Sequence, residues 1–300
     1  MTWSARYRGP SKFPCLRISR RAILAALPAL CASSAWADEA AGFLAGKERE
    51  TGGRIGLYAR NLATGRTLSW RADEGFNMCS TFKMSLVACV LTRVDQGEEQ
   101  LGRFIPYGAA QLFDYAPVAR QNLAKGGMTV AAMCQAAVEL SDNTCATQLL
   151  AAVGGPPALT RFWRATGDAV TRLDHTELAL NFSPPGDPRD KTTPAAMAGN
   201  LQRFLLGDVL SPASRARLTG WMLNCQTGTA LLRAGLPAAW KVADKTGNNG
   251  ADARGDIAVA WPAPDRPVLI CVYTQGGHPA PELLPPVFVS VGRLVGQDLG

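Results

Sequence analysis

A serine and a lysine three residues apart, Ser80 and Lys83, have types and spacing that could do chemistry. Ser80 begins an apolar segment that runs to about Asp95, with apolar residues at helical spacing and Gly97 as a stop. One helical turn places the hydroxyl and the amine on the same face. A serine needs a nearby base to become a nucleophile, and Lys83 is placed to serve or to relay. On its own, the pair also fits a helix cap followed by a surface lysine.

Three further polar groups occur along the chain: Ser141-Asp142-Asn143, Glu177 with Asn181, and Lys245-Thr246-Gly247. Each has an ordinary structural interpretation. The first group would cap a helix, the second would be solvated in a loop, and the third would end an edge strand. Because all three occur in this order together with the serine and the lysine, coincidence is a poor explanation.

Histidine is scarce, since the chain has only His175 and His278. This excludes a histidine-rich metal site and argues against a Ser-His-Asp triad. A hydrolase built on this chain must therefore find its base among lysines and carboxylates. We predict no cofactor and no metal.

The predicted secondary structure that must position these groups changes along the chain, from strands to helices and back to strands. The residue patterns predict early strands at 54–60 and 66–70 and late strands at 241–246, 256–261 and 268–274, with a turn at 247–250. Residues 98–220 are predicted to be mainly helical, apart from a proline-rich loop at 171–194, and a closing helix covers 285–299. The pattern predicts an α/β fold in which both termini build one sheet and the middle forms an inserted helical lobe.

The charge balance points away from nucleic acid, although the formal net charge is +7. Six basic and no acidic residues fall within residues 1–37, and the remainder has 25 basic and 24 acidic residues. The leader also has paired arginines, a short apolar core and a small-residue ending at Ala35-Trp36-Ala37. We predict a signal peptide at 1–37, of twin-arginine type, cleaved near Ala37. The mature chain would have no membrane span and would be periplasmic.

The ordered motifs resemble those of the class A serine β-lactamases, which are characterised by Ser-x-x-Lys, Ser-Asp-Asn and Lys-Thr-Gly. The resemblance covers essentially the whole mature chain. It implies an α+β sandwich with an antiparallel five-stranded sheet flanked by helices and an active site in the cleft beside the helical lobe. The lobes would be 38–71 with 221–300, and 72–220. It further implies a monomer that takes a β-lactam as its small-molecule substrate.

The resemblance also implies a role for each motif residue. Ser80 would attack the lactam carbonyl, with Lys83 beside it, and Ser141 would carry a proton to the departing nitrogen. Glu177 and Asn181 would hold the water that hydrolyses the acyl-enzyme. Whether Lys83 or Glu177 takes the first proton stays open. The implied substrate-binding residues are Tyr115, Asn143, Lys245, Thr246, Gly247, Asn248 and Arg254.

The loop around Glu177 departs from the family pattern at two positions. His175 stands where many members have an arginine that pairs with the aspartate at Asp190, and Leu178 stands where proline is common. A histidine is charged only below about pH 6.5 unless its environment shifts it. We therefore predict a weaker anchor and a more mobile loop.

The cysteines depart from the family pattern as well. Cys79 precedes the nucleophile, as in some carbapenem-hydrolysing members, but the position of its partner there holds Asn249. That disulfide cannot form, so carbapenem hydrolysis is not implied. Cys134 matches another disulfide position whose partner position holds Val87. We expect the six cysteines of the mature chain to be mostly free thiols.

Two alternatives share the serine, the lysine and the fold. A penicillin-binding D,D-peptidase would lack a deacylating pair such as Glu177 and Asn181. A β-lactam receptor that binds its ligand covalently as a signal would be expected to carry a membrane span. Both alternatives predict one stoichiometric reaction with a β-lactam, whereas the β-lactamase predicts many turnovers.

Overall fold

Strands from both ends of the chain form one five-stranded sheet in the computed structural model, which describes residues 39–183 and 186–300. These strands are β1 (Arg54–Asn61), β2 (Thr67–Trp70), β7 (Lys241–Asn248), β8 (Arg254–Trp261) and β9 (Val268–Gln275). Their order across the sheet is β2-β1-β9-β8-β7, and every neighbouring pair is antiparallel. The predicted sheet built from both termini is therefore confirmed, and β7 forms one of its edges.

Four short strands form two small ribbons outside this sheet. They are β3 (Phe76–Asn77) with β6 (Lys191–Thr192), and β4 (Phe104–Pro106) with β5 (Gly127–Thr129). The first ribbon matters for the site because it joins the segment before Ser80 to the end of the loop that carries Glu177.

Helices account for most of the middle of the chain, as predicted. The first, α1, covers 39–51; the others are α2 (Phe82–Asp95), α3 (Pro117–Gln121), α4 (Val130–Glu139), α5 (Asn143–Ala152), α6 (Gly155–Ala165), α7 (Pro194–Leu201), α8 (Pro212–Leu223), α9 (Leu232–Gly235) and α10 (Leu284–Leu299). Helices α7 and α10 pack on β1 and β9, and α8 packs on β7. Among the described residues, no helix has the length and apolar character needed to cross a membrane. The leader at 1–37 lies outside the described residues, and the limits of the two lobes stay a prediction.

Side-chain caps fix where four of the helices begin. Thr129, Asp142, Thr193 and Ser211 each accept a hydrogen bond from the backbone N–H three residues further on, at the starts of α4, α5, α7 and α8. These caps satisfy N–H groups that have no partner inside the helix. Asp142 matters most for function, because its cap fixes the residues on either side of it.

Helix α2 is the centre of the helical region. Its residues from Phe82 to Leu91 are all buried, and it packs against α4, α5, α6 and α8. A single 3₁₀ turn, Cys79–Thr81, precedes it and packs against β7 and β8. The helix therefore holds Ser80 at its N-terminal end, next to the edge strand.

Two boundaries differ from the sequence-based expectation. Gly247 and Asn248, predicted to start a turn, are the last residues of β7, because they pair with Gly255 and Arg254 of β8. The sequence from Gly154 to Pro157 also predicts a break, with a new helix from Ala158; this stretch does separate α5 from α6, but α6 already begins at Gly155. Proline is tolerated in a first helical turn, where its missing N–H would have no partner in any case.

Candidate active site

A cavity of about 340 Å³ opens beside Ser80, between the edge strand and the helical region. In the 3₁₀ turn that carries Ser80, Cys79 has a left-handed backbone, with φ of 45°. The hydroxyl of Thr81 closes this turn by donating a 2.7 Å hydrogen bond to Met78 O. The residues that line the cavity are Ser80, Tyr115, Ser141, Asn143, Thr227, Leu231, Thr246, Gly247, Asn248 and Arg254. Eight of these ten are site residues predicted from the sequence.

Lys83 lies behind the cavity and is completely buried. Its ammonium donates to Asn143 Oδ1 at 2.5 Å and to Ser141 O at 2.9 Å, and it lies 3.2 Å from Glu177 Oε1. Burial lowers the pKa of Lys83, and the charge of Glu177 opposes that shift. Within the described residues, Lys83 makes no hydrogen bond to Ser80. The lysine therefore links three of the predicted residues and is poised to lose its proton more readily than an exposed lysine.

Ser141 occupies a left-handed turn, with φ of 56°, between α4 and α5. Asp142 fixes this turn, since its two carboxylate oxygens accept hydrogen bonds from the N–H groups of Cys145, Val118 and Ala119. The cap interpretation of the Ser-Asp-Asn group is thus confirmed for Asp142, and the functional interpretation stays a prediction. Such strain, held by surrounding structure, is typical of functional sites.

Lys245, on strand β7, contacts the same serine. Its ammonium donates to Ser141 Oγ at 3.1 Å, and that of Lys83 lies 3.4 Å from the same oxygen. Burial lowers the pKa of Lys245 to about 8, and the positive charge of Lys83 acts in the same direction. Because the serine oxygen can accept from both ammonium groups, its own proton is left to be donated into the cavity.

Glu177 and Asn181 form a buried pair in the proline-rich loop. Asn181 Nδ2 donates to Glu177 Oε2 at 3.0 Å, and the peptide bond between Glu177 and Leu178 is cis. Asn181 Oδ1 is buried and accepts no hydrogen bond from the described residues. The pair does not line the cavity, and its link to the cavity is its contact with Lys83. A carboxylate and a free amide oxygen held together in this way can bind and activate a water molecule.

Strand β7 approaches the backbone of Ser80 closely. A Cβ atom added at Gly247 would lie 2.9 Å from Ser80 N and 2.7 Å from Met78 O. Only glycine permits this approach, which places the end of the strand next to the Ser80 N–H group. The position suits an oxyanion hole formed by one N–H from each side.

Arg254 supplies a cation at the wall of the cavity. Its side chain is about half buried, and burial lowers its pKa. Within the described residues, its guanidinium has no carboxylate partner, and its Nε atom is buried without a hydrogen bond. An unpaired guanidinium beside a cavity is well suited to bind a carboxylate ligand. Tyr115, which is half exposed, forms an aromatic part of the same wall.

His175 takes part in anchoring the loop that carries Glu177. Its Nδ1 atom lies 2.5 Å from Asp190 Oδ2, and Asp190 Oδ1 accepts from the backbone N–H groups of Asp174 and His175. A histidine therefore makes the contact for which many family members use arginine. The greater mobility expected for this loop stays a prediction.

The sequence did not single out two residues that line the cavity, Thr227 and Leu231. They lie between α8 and α9 in a segment without a recognisable motif. In the sequence, the one indication of their role is that they closely precede β7. The packing of α8 on β7 brings their segment to the site. Thr227 Oγ1 lies 2.6 Å from Thr246 Oγ1.

The six cysteines of the described residues are all buried and free of disulfides. The same residues contain no cluster of three or more histidine, cysteine or acidic side chains that could hold a metal ion. The chemistry available here is that of a serine, two buried lysines and a carboxylate.

A serine at a helix start near buried lysines is an arrangement expected of a serine hydrolase that forms covalent intermediates. The comparisons with known proteins identify the family. A model of the β-lactamase enzyme family matches residues 40–297, and the chain belongs to this family. It is a class A serine β-lactamase, an enzyme that hydrolyses β-lactams and confers resistance to them.

Individual relatives support the same assignment. The chain is 47% identical over 254 residues to β-lactamase L2 of Stenotrophomonas maltophilia, with 84% of each chain covered. Among solved structures, it is 52% identical to an ancestral class A β-lactamase (GNCA), with a TM-score of 0.82, covering 86% of this chain and 99% of that one. A β-lactamase from Xanthomonas campestris is 44% identical, with a TM-score of 0.85, covering 88% and 99%.

Proposed function

We propose that this chain hydrolyses the amide bond of penicillins and cephalosporins through a Ser80 acyl-enzyme that is deacylated by a water activated by Glu177. The observation that carries the proposal is the buried contact of Lys83 with both Glu177 and the Ser141 turn. It connects the groups needed for acylation with the groups needed for deacylation.

In the first half of the reaction, Ser80 Oγ bonds to the lactam carbonyl carbon, and its proton passes to the Lys83–Glu177 pair. The backbone N–H groups of Ser80 and Asn248 stabilise the oxyanion. The carbon–nitrogen bond of the lactam then breaks. Ser141 gives its proton to the departing nitrogen and is reprotonated from the neighbouring ammonium groups. The product of this half is a Ser80 ester.

Binding of the substrate is assigned to the walls of the cavity. Lys245, Thr246 and Arg254 hold the carboxylate of the substrate, since two of them are cations and the third offers a hydroxyl. Asn143 binds the substrate amide and also orients Lys83, with which it shares a hydrogen bond. Tyr115 packs against the substrate rings.

In the second half, Glu177 removes a proton from a water molecule that Asn181 helps to hold. The hydroxide adds to the ester carbonyl, the bond to Ser80 Oγ breaks, and the proton that Glu177 took from the water is passed to that oxygen. This step separates the proposed enzyme from a D,D-peptidase or a covalent receptor. Incubation of the purified protein with excess nitrocefin should give many turnovers per molecule. One stoichiometric burst without further turnover would contradict the proposal.

A pH dependence follows from Lys245. Its pKa of about 8 means that its charge, and with it part of the attraction for a carboxylate, is lost as the pH rises through 8. We expect kcat/KM for benzylpenicillin to fall above about pH 8. In Lys245→Arg the guanidinium stays charged throughout this range, so the fall above pH 8 should be absent.

The control for this prediction is Lys241→Arg, because Lys241 is exposed at the start of the same strand. Its pH profile should match that of the parent enzyme. If kcat/KM of Lys245→Arg falls over the same pH range as that of the parent, the fall is not caused by deprotonation of Lys245.

We further propose that the enzyme acts as a monomer in the periplasm after cleavage near Ala37. The support for export and cleavage is the pattern of the leader: paired arginines, an apolar core and small residues at the cleavage site. The monomer is what the resemblance to the family implies.

A further inference from the structure

Thr227 contacts Thr246 through their two hydroxyl groups. Their hydroxyl oxygens are 2.6 Å apart, a normal distance for a hydrogen bond between hydroxyls. Thr246 is buried, whereas Thr227 is partly exposed, and both line the cavity. The two hydroxyls therefore share one hydrogen bond at the wall where the substrate carboxylate is proposed to bind.

The backbone around Thr227 is held so that this contact is maintained. Gln226 N donates to Glu139 O at 2.9 Å, which fixes the segment to the end of α4. Gly228 lies so close to β7 that an added Cβ atom would overlap the carboxylate of Asp244. The segment thus rests directly on the strand that carries Thr246.

A bound carboxylate determines the direction of the hydrogen bond between the threonines. An ionised carboxylate only accepts hydrogen bonds, so Thr246 can bind it only by donating its hydrogen. The oxygen of Thr246 must then be the acceptor in the 2.6 Å contact, and Thr227 must be the donor.

The only competing side-chain partner of Thr227 is weak. Cys225 Sγ lies 3.4 Å from Thr227 Oγ1 and is buried, and no other side-chain partner of Thr227 occurs among the described residues. A thiol sulfur is a poor acceptor compared with a hydroxyl oxygen. The hydrogen of Thr227 is therefore directed to Thr246 rather than to the thiol.

We propose that Thr227 is a positioning residue that acts through Thr246: it donates to the Thr246 hydroxyl and so aligns that hydroxyl on the substrate carboxylate. The inference rests on the proposed function, because it assumes that the carboxylate binds at this wall. When two hydroxyls donate in series, the first hydrogen bond polarises the second. The hydrogen bond from Thr227 therefore strengthens the one from Thr246 to the carboxylate. Thr227 should thus contribute to substrate binding without taking part in the bond-breaking steps.

Replacing Thr227 by valine tests this role, because valine keeps the shape and removes the hydroxyl. We expect KM for benzylpenicillin to rise about fivefold, the loss typical of one neutral hydrogen bond, with a smaller effect on kcat. Thr227→Ser should restore most of the affinity. The control is Thr229→Val, since Thr229 is exposed two residues further on. An unchanged KM in Thr227→Val, or no rescue by serine, would overturn the proposal.

A double-mutant cycle separates action through Thr246 from direct contact with the substrate. Because the role of Thr227 depends on Thr246, Thr227→Val should add less than about twofold to the KM of Thr246→Val. Independent, multiplying effects would overturn the proposal. With benzylpenicillin methyl ester, which lacks the carboxylate, Thr227→Val should likewise change kcat/KM by less than about twofold.

Failure of the proposed function would look different. In that case the parent enzyme itself would not turn over benzylpenicillin, and no variant could be compared with it. A parent that turns over normally, combined with a Thr227→Val variant of unchanged KM, would reject only the role of Thr227.

Discussion

Replacing Glu177 by alanine is expected to leave the enzyme covalently acylated at Ser80. The carboxylate is the only acidic side chain in contact with Lys83 among the described residues, and Asn181 is hydrogen-bonded to it. Removing a general base lowers the rate of its step by about 10²–10⁴-fold. Deacylation should therefore become slower by about 10³-fold, which corresponds to about 4 kcal/mol of barrier.

Acylation should continue in this variant, because Lys83 remains beside the Ser141 turn. Burial lowers the pKa of Lys83, and loss of the nearby negative charge lowers it further. More of the amine is then neutral and able to accept the serine proton. Rapid mixing with nitrocefin should show a burst of one equivalent, and mass spectrometry should find the adduct on the peptide that contains Ser80.

The matched control is Glu282→Ala, because Glu282 is an exposed acid before α10. It should turn over at the parent rate. Glu177→Gln, which keeps the side-chain volume, serves if the alanine variant folds poorly, and it should accumulate the same adduct. Turnover of both Glu177 variants at the parent rate would show that the carboxylate does not activate the deacylating water.

The parts of the site that could be predicted from the sequence depend on regular elements. Ser80 and Lys83 lie at the start of a helical pattern, and Lys245 lies in a segment predicted to be a strand, so local patterns indicate the elements that carry them. Asp142 caps α5, as its residue type indicates. In each case a local rule and the final fold agree.

The other parts depend on contacts between distant segments. Glu177 and Asn181 lie in a loop without periodicity, so their roles could be expected only from the family resemblance. Gly247 and Asn248 carry a strong turn signal, but pairing with β8 extends the strand through them. Thr227 reaches the cavity only because α8 packs on β7. None of these contacts leaves a local pattern in the sequence.

The replacement of Lys83 by alanine should have an effect of similar size on the earlier step. The variant loses the ammonium that contacts Ser141 O and Asn143 Oδ1 and leaves Glu177 buried without its cation. The variant therefore lacks both the amine that can accept the Ser80 proton and the contact that joins Glu177 to the Ser141 turn. We expect acylation by nitrocefin to become slower by about 10³-fold or more.

A lysine-to-arginine change at this position separates the charge from proton transfer. Lys83→Arg keeps a cation beside Glu177, but a guanidinium does not lose its proton in a protein. If Lys83 takes part in proton transfer, this variant should acylate nearly as slowly as Lys83→Ala. If it acylates within about tenfold of the parent, the lysine acts only as a counter-charge and Glu177 is the base for both steps. Lys241→Ala, at an exposed position of β7, is the control, and thermal unfolding of each variant verifies the fold.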